Sequence, residues 1–138
     1  MFSLESIGME EAQRAMDAVL AALTPDDNPA ALAIARADGA PILCLRQDGA
    51  PARMLRRARA KAYTAVRVGM NTVDFRDGVV KATSRTLDDW GDAGLTTLQG
   101  GMTVRSGGKV VGAIAMSGNT TQRDEQLAGI GLAAMGVR

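Results

Sequence analysis

The chain has 138 residues, 46% of them apolar and 22% charged, which is enough for one hydrophobic core, too little for two, and not the balance of a disordered chain. Its 16 basic and 15 acidic residues leave a net charge of +1, and no apolar run approaches the roughly 20 residues of a bilayer span, so neither nucleic acid nor a membrane is expected as a partner. There is no histidine and one cysteine, Cys44, which removes Ser-His-Asp and Cys-His catalysis, histidine-ligated zinc, the usual proximal haem ligand and any internal disulfide.

The residues Met1 to Glu11 lack a basic start followed by an apolar stretch, so no signal peptide is expected; with the lone cysteine this predicts a reducing, cytoplasmic setting. Ser6 and Gly8 precede Glu10 and Glu11, a cap with acidic residues in the first turn. Met9, Ala12, Met16, Val19, Leu20 and Leu23 then recur at three- and four-residue steps, predicting an amphipathic helix ended by Thr24-Pro25-Asp26-Asp27. Two apolar runs, Ala31 to Ala35 and Ile42 to Leu45, flank Ala37-Asp38-Gly39 and read as a β-hairpin. Cys44 falls in the second run and is expected to be an inert core residue.

Pro51 opens a second helix that runs to Gly69. Met54, Leu55, Ala58, Ala62, Ala65, Val66 and Gly69 fall within about 120° on a helical wheel. Arg53, Arg56, Arg57, Arg59 and Arg67 occupy the remainder, read as a solvated face with an anion site as the alternative. Lys61 lies about 20° outside the apolar arc, placed to snorkel from the edge of a buried seam or to enter a cleft. From such an edge its replacement by Met is expected to change stability by at most about 1 kcal/mol. Tyr63 falls beyond the arc and points to a surface or interface.

Asn71 to Arg85 predicts a shorter helix or turn-rich segment, and Thr86 to Gly94 a polar loop. The run Asp88-Asp89-Trp90-Gly91-Asp92 in that loop reads as solvated acid; no metal site is assigned. Leu95 to Leu98, Met102 to Arg105 and Val110 to Met116 predict three strands, the last two joined at Ser106-Gly107-Gly108-Lys109. Ser117-Gly118 ends the last strand, and Thr121 with Asp124 forms a capping-box signature for a final helix whose Leu127, Ala128 and Met135 turn inward. The expected fold is α+β: one domain, 1–138, with a mostly antiparallel sheet of about five strands and helices packed on it.

Gly100-Gly101 and Gly112 interrupt strands rich in Val, Ile and Met. Glycine there marks a bulge, a close helix-on-sheet contact, or a backbone N–H platform facing a ligand carboxylate or carbonyl. Neither G-x-G-x-x-G nor a G-K-[ST] ending occurs, so this is no phosphate loop.

Four segments in order carry a family resemblance: Arg46-Gln47-Asp48-Gly49-Ala50, Lys61-Ala62-Tyr63-Thr64-Ala65, Gly100-Gly101-Met102-Thr103-Val104, and Val111-Gly112-Ala113-Ile114-Ala115-Met116-Ser117-Gly118 followed by Gln122-Arg123-Asp124-Glu125. Together the chain resembles the GlcG/HbpS family, which includes the C-terminal domain of PduO-type proteins. The resemblance implies a profilin-like α/β sandwich, a homo-oligomer, and haem as a ligand to be bound or degraded. It also implies that Lys61, Gly100-Gly101, Arg46 and Asp48 belong to one pocket region. The chain departs from the family at Gln47, where Met is frequent, and in lacking proline beside the double glycine; it also offers haem no histidine ligand.

Three functions follow. The first is a small-molecule-binding protein of this family, with haem implied by the resemblance. The second is a cofactor-independent lyase or isomerase for a small carboxylate or aromatic metabolite, with Lys61 and Tyr63 as catalytic residues. The third is a non-catalytic assembly or sensor subunit. If Arg46 and Asp48, Lys61, Gly100 and Gly101, and Ser117 converge, they make one concave site with a cation on one side and free backbone donors on the other, suited to an anionic ligand. Sparse aromatics, eight Met and helices rich in small residues predict a homo-oligomer.

Overall fold

The computed structural model describes all residues, Met1–Arg138. A four-stranded antiparallel sheet of order β2-β1-β4-β3 lies at the centre, built from β1 (Ala31–Arg36), β2 (Pro41–Arg46), β3 (Gly101–Ser106) and β4 (Lys109–Ser117). The helices α1 (Met9–Ala22) and α5 (Thr121–Ala134) cover one face, and α2 (Ala52–Val68) covers the other. The chain is therefore α+β, as expected.

Side-chain alternation along the central strands sorts the two faces. Leu32 and Ile34 of β1 and Ile114 and Met116 of β4 join Ala12, Ala15, Val19, Leu127 and Met135 in the larger core under α1 and α5. Their neighbours Ala31, Ala33, Ala35, Ala113 and Ala115 meet Met54, Ala58, Ala62 and Ala65 of α2. One face is thus filled with branched side chains, the other almost wholly with alanine.

The start of α1 and both ends of α2 lie where the sequence predicts. The Glu11 carboxylate accepts from the Gly8 N–H at 3.1 Å, closing the first turn of α1. Pro51 precedes α2, and Gly69, at φ 71°, ends it in the left-handed conformation. The segment from Asn71 to Arg85 is helical but irregular: α3 (Thr72–Asp74), a π-helical stretch Phe75–Val80, and α4 (Lys81–Thr83). Buried Phe75 on that stretch meets Trp90, on a 3₁₀ turn (Leu87–Trp90), edge to face at 5.2 Å.

Three expectations change. Leu95 to Leu98 is not a strand, so the sheet has four strands rather than about five. The segment passes beside α2 instead, where the Thr96 N–H donates to Thr64 Oγ1 at 2.9 Å. Cys44 is exposed, because α2 leaves the edge strand β2 partly uncovered. The cap of α5 is Thr120, whose hydroxyl accepts from the Arg123 N–H at 3.2 Å, one residue earlier than the Thr121 signature.

The connection between α1 and β1 is tied to α5 by a bidentate pair: Arg123 Nε and Nη2 each donate to Asp27 at 2.9 Å. Asp27 also accepts from the Thr24 N–H at 2.9 Å. The Arg123 hydrogen bonds, then that of Thr24, hold the Asp27 carboxyl well below the ordinary range. A carboxyl depressed in the folded state stabilises the fold above its unfolded pKa of about 3.9 and loses that contribution as pH falls towards the folded value. Asp27→Asn is expected to lower stability at pH 7 and to shrink the loss on acidification below about pH 4, measured by urea unfolding at both pH values. An unchanged acid profile would show that the pair does not act this way.

Candidate functional site

The wheel position of each α2 side chain decides what it meets. Alanine against alanine lets the helix backbone come close to the sheet, and Gly101 marks the closest approach. A Cβ there would lie 2.6 Å from the Lys61 carbonyl oxygen and 2.9 Å from Thr72 Cγ2. Gly101 spends its N–H on Thr72 Oγ1 at 3.1 Å. Gly101 is therefore a packing contact, and its N–H is not the free donor that the sequence reading expected there.

Lys61 is not at an edge. It is 1% exposed, the largest fully buried side chain in the protein. Its ammonium donates to the Met116 carbonyl at 2.8 Å and to Asp124 Oδ2 at 3.3 Å. Asp124, read from the sequence as a helix cap, is equally buried, and its Oδ1 accepts from the Asn119 N–H at 3.1 Å. Burial pushes Lys61 below its ordinary pKa and Asp124 above its own, and the attraction between them opposes both shifts. Gly100, at φ 130°, makes room for this pair: a Cβ there would lie 2.8 Å from the Lys61 ammonium and 3.2 Å from Asp124 Cβ.

Two clefts flank α2. The first, of about 410 Å³, lies over the Lys61–Asp124 pair and is lined also by Arg53, Arg57, Ser117 and Asn119. Ser117 is buried there, with its hydroxyl 3.6 Å from Met54 Sδ. The second, of about 540 Å³, opens between α2 and the β1–β2 hairpin. Its lining includes Ala33, Ala35, Pro41 and Ala60, with Arg56 and Arg59 on the helix side, Tyr63 as a wall, and Asp38 on the hairpin turn, whose Oδ1 accepts from the Ala40 N–H at 2.9 Å. Tyr63 donates to Asp92 Oδ2 at 2.7 Å and is fitted against Gly94, where a Cβ would meet its ring at 2.9 Å. The Arg67 guanidinium stands 5.8 Å from the ring centroid. The hydrogen bond to Asp92, followed by burial, raises the Tyr63 pKa above the ordinary phenol value.

Of the residues expected to converge, Lys61 and Ser117 share the first cleft, with Gly100 and Gly101 packed behind Lys61. Tyr63 belongs to the second cleft. Arg46, at the end of β2, is exposed and lines neither, while Asp48 lines a separate cavity of about 380 Å³ with Thr24 and Asp27. The sequence reading missed the placement of the arginines: Arg53 and Arg57 on one flank of α2, Arg56 and Arg59 on the other. The signal was available in the four-residue steps Arg53, Arg57, Lys61.

With the fold and the clefts described, comparison with known proteins defines the class: residues 7–133 match the family model described as haem degrading protein HbpS-like, and the chain belongs to that family. The structure of Klebsiella pneumoniae protein ORFY is similar at a TM-score of 0.88 and 21% identity, over 100% of this chain and 96% of that one. A double mutant of Streptomyces reticuli HbpS reaches 0.86 at 28% identity, over 99% and 91% of the two chains. A complex of PduOC with haem reaches 0.86 at 22% identity, over 96% and 97%. No curated protein matches the sequence. No helix is long and apolar enough to cross a membrane.

The burial of Lys61 overturns the expectation of a small effect on its removal. Lys61→Met leaves the Asp124 charge without its partner in the interior, and a loss of about 3–5 kcal/mol is expected. Lys61→Met/Asp124→Leu is expected to recover most of it, because the double change leaves no buried charge. Chemical denaturation of the four proteins of the cycle measures both. A single variant within about 1 kcal/mol of wild type would show that Asp124 does not keep an uncompensated buried charge when Lys61 is removed.

Proposed function

We propose that the chain is a haem-related small-molecule-binding domain that seats a planar, apolar anion in the cleft between α2 and the β1–β2 hairpin. The observation that carries this reading is the cleft's make-up: an alanine-rich floor of molecular size, with the Arg56 and Arg59 guanidinium groups beside it. Neither arginine makes an ion pair or a hydrogen bond within the chain, so both are available to ligand carboxylates. The family description and the haem complex of PduOC support a tetrapyrrole as the ligand class.

The residues fit a porphyrin face and its two propionates; they fit the iron poorly. The side chain of iron-ligating type at this cleft is Tyr63, and its hydroxyl is engaged by Asp92 and holds its proton more tightly than a free phenol. Lys61 is likewise committed to Met116 and Asp124. This reading therefore gives Tyr63 the role of wall and Lys61 the role of internal cation, and neither the role of proton carrier.

Hemin and metal-free protoporphyrin are accordingly expected to bind with affinities within about tenfold of each other, since a shared body and shared carboxylates carry the interaction. Arg56→Gln/Arg59→Gln should weaken both by tenfold or more, measured by fluorescence quenching and Soret titration. A sharp low-spin hemin spectrum with protoporphyrin left unbound would overturn the iron-independent part. Binding of neither would remove the tetrapyrrole.

The homo-oligomer belongs to the same proposal. Met9 and Leu20 lie within about 20° on the α1 wheel, and both are exposed, which supports burial against a second copy. Light scattering at micromolar concentration is expected to give a multiple of the 14.4 kDa chain mass; a monomer would end this part of the reading.

A further inference from the structure

We infer that the polar cleft over the Lys61–Asp124 pair is a second binding site, for a small dianion bearing a phosphate or two carboxylates. Arg53, Arg57 and Lys61 are successive four-residue steps of α2, within about 80° on the wheel, and all three line this cleft. The acid among the lining residues, Asp124, is already engaged by Lys61 and by the Asn119 N–H. Arg53 and Arg57 make no ion pair and no hydrogen bond within the chain, so two guanidinium groups face the cleft uncompensated.

A second observation is independent of the cleft. The first turn of α2 contains no acidic residue and carries Arg53. A cation there opposes the helix dipole, so the local preference is broken at the point where the cleft opens. An anion bound between the two arginines relieves both the dipole conflict and the mutual repulsion of the cations. Guanidinium binds carboxylate and phosphate through paired hydrogen bonds, which fixes the ligand class by chemistry. The cleft's volume of about 410 Å³ and its polar lining, in which Met54 and Leu98 are the large apolar side chains, fit a compact polar molecule rather than a porphyrin.

The test uses inorganic phosphate and malonate as probes, by calorimetry and thermal shift at fixed ionic strength. At least one is expected to bind saturably and to raise the melting temperature. Arg53→Gln/Arg57→Gln should lower that affinity tenfold or more while leaving the melting temperature of the free protein near wild type, because both side chains are exposed. Should that variant fold poorly, Arg53→Lys/Arg57→Lys keeps the charge and removes the paired geometry, and an intermediate affinity is expected. Arg85→Gln/Lys109→Gln removes the same charge outside the cleft and should leave binding unchanged. Preference for phosphate assigns a phosphate-bearing ligand, and preference for malonate a dicarboxylate. Saturable binding of neither probe, or equal weakening by the Arg85→Gln/Lys109→Gln control, would overturn the site.

Discussion

The seat of α2 on an alanine-rich sheet face is the constraint from which the rest of the functional architecture follows. Ala31, Ala33, Ala35, Ala113 and Ala115 oppose Ala58, Ala62 and Ala65, with Met54 as the one large apolar side chain among the buried residues of that cluster. Such a contact contributes less per residue than the Leu, Ile and Val contacts of the opposite face, since less apolar area leaves water. What it supplies is proximity. The Lys61 carbonyl approaches Gly101 so closely that no Cβ fits between them. Larger side chains would lift the helix from the sheet, and overpacking of this kind typically costs about 1–3 kcal/mol.

Proximity explains why a lysine from the boundary of the apolar arc ends in the interior. With the helix so near, the Lys61 side chain runs along the sheet to the end of β4, where the Met116 carbonyl and Asp124 receive it. A buried pair is rarely a net source of stability against apolar residues of equal size, because both ions must leave water. Its effect here is positional. The pair joins α2 to the start of α5, across opposite faces of the sheet, and Asp124 in turn orders the Asn119 turn through its second oxygen. The polar cleft thus has a rigid floor whose charge is already balanced.

Elements with a strong local signature were legible in the sequence. α1, α2 and both hairpins combine periodic apolar residues with Asp-Gly or Gly-Gly turns, and tertiary packing agrees with them. Leu95 to Leu98 was not, since four residues with apolar ends describe an extended connection as well as a strand. Cys44 was misplaced because alternation in β2 tells which residues share a face but not whether that face is covered. The role of Asp124 was hidden for a related reason. Its cap signature is local, whereas its partner lies 63 residues away and is fixed only by the fold. The pocket region implied by the resemblance separated in the same way: Lys61 and Ser117 share a cleft, while Arg46, at the end of β2, and Asp48, in the connection from β2 to α2, do not line it.

The net charge of +1 conceals how the charge is distributed. Between Ala52 and Val68 the chain carries Arg53, Arg56, Arg57, Arg59, Lys61 and Arg67 and not one acid. Isolated helices avoid such a composition, because like charges at four-residue spacing repel and cations in the first turn oppose the dipole. The fold tolerates it by separating the cations. The alanine seat occupies the middle of the wheel, and the arginines emerge on its two flanks, one pair into each cleft. A helix chosen for stability alone would place glutamate among them. Its absence leaves two arginines at each concave surface of a nearly neutral protein, against one acid in each lining, Asp38 and Asp124, and concave, low-dielectric walls strengthen the effect of such charges over that on an open surface. Electrostatic selectivity for anions can therefore arise here from placement along one helix, with no contribution from overall charge.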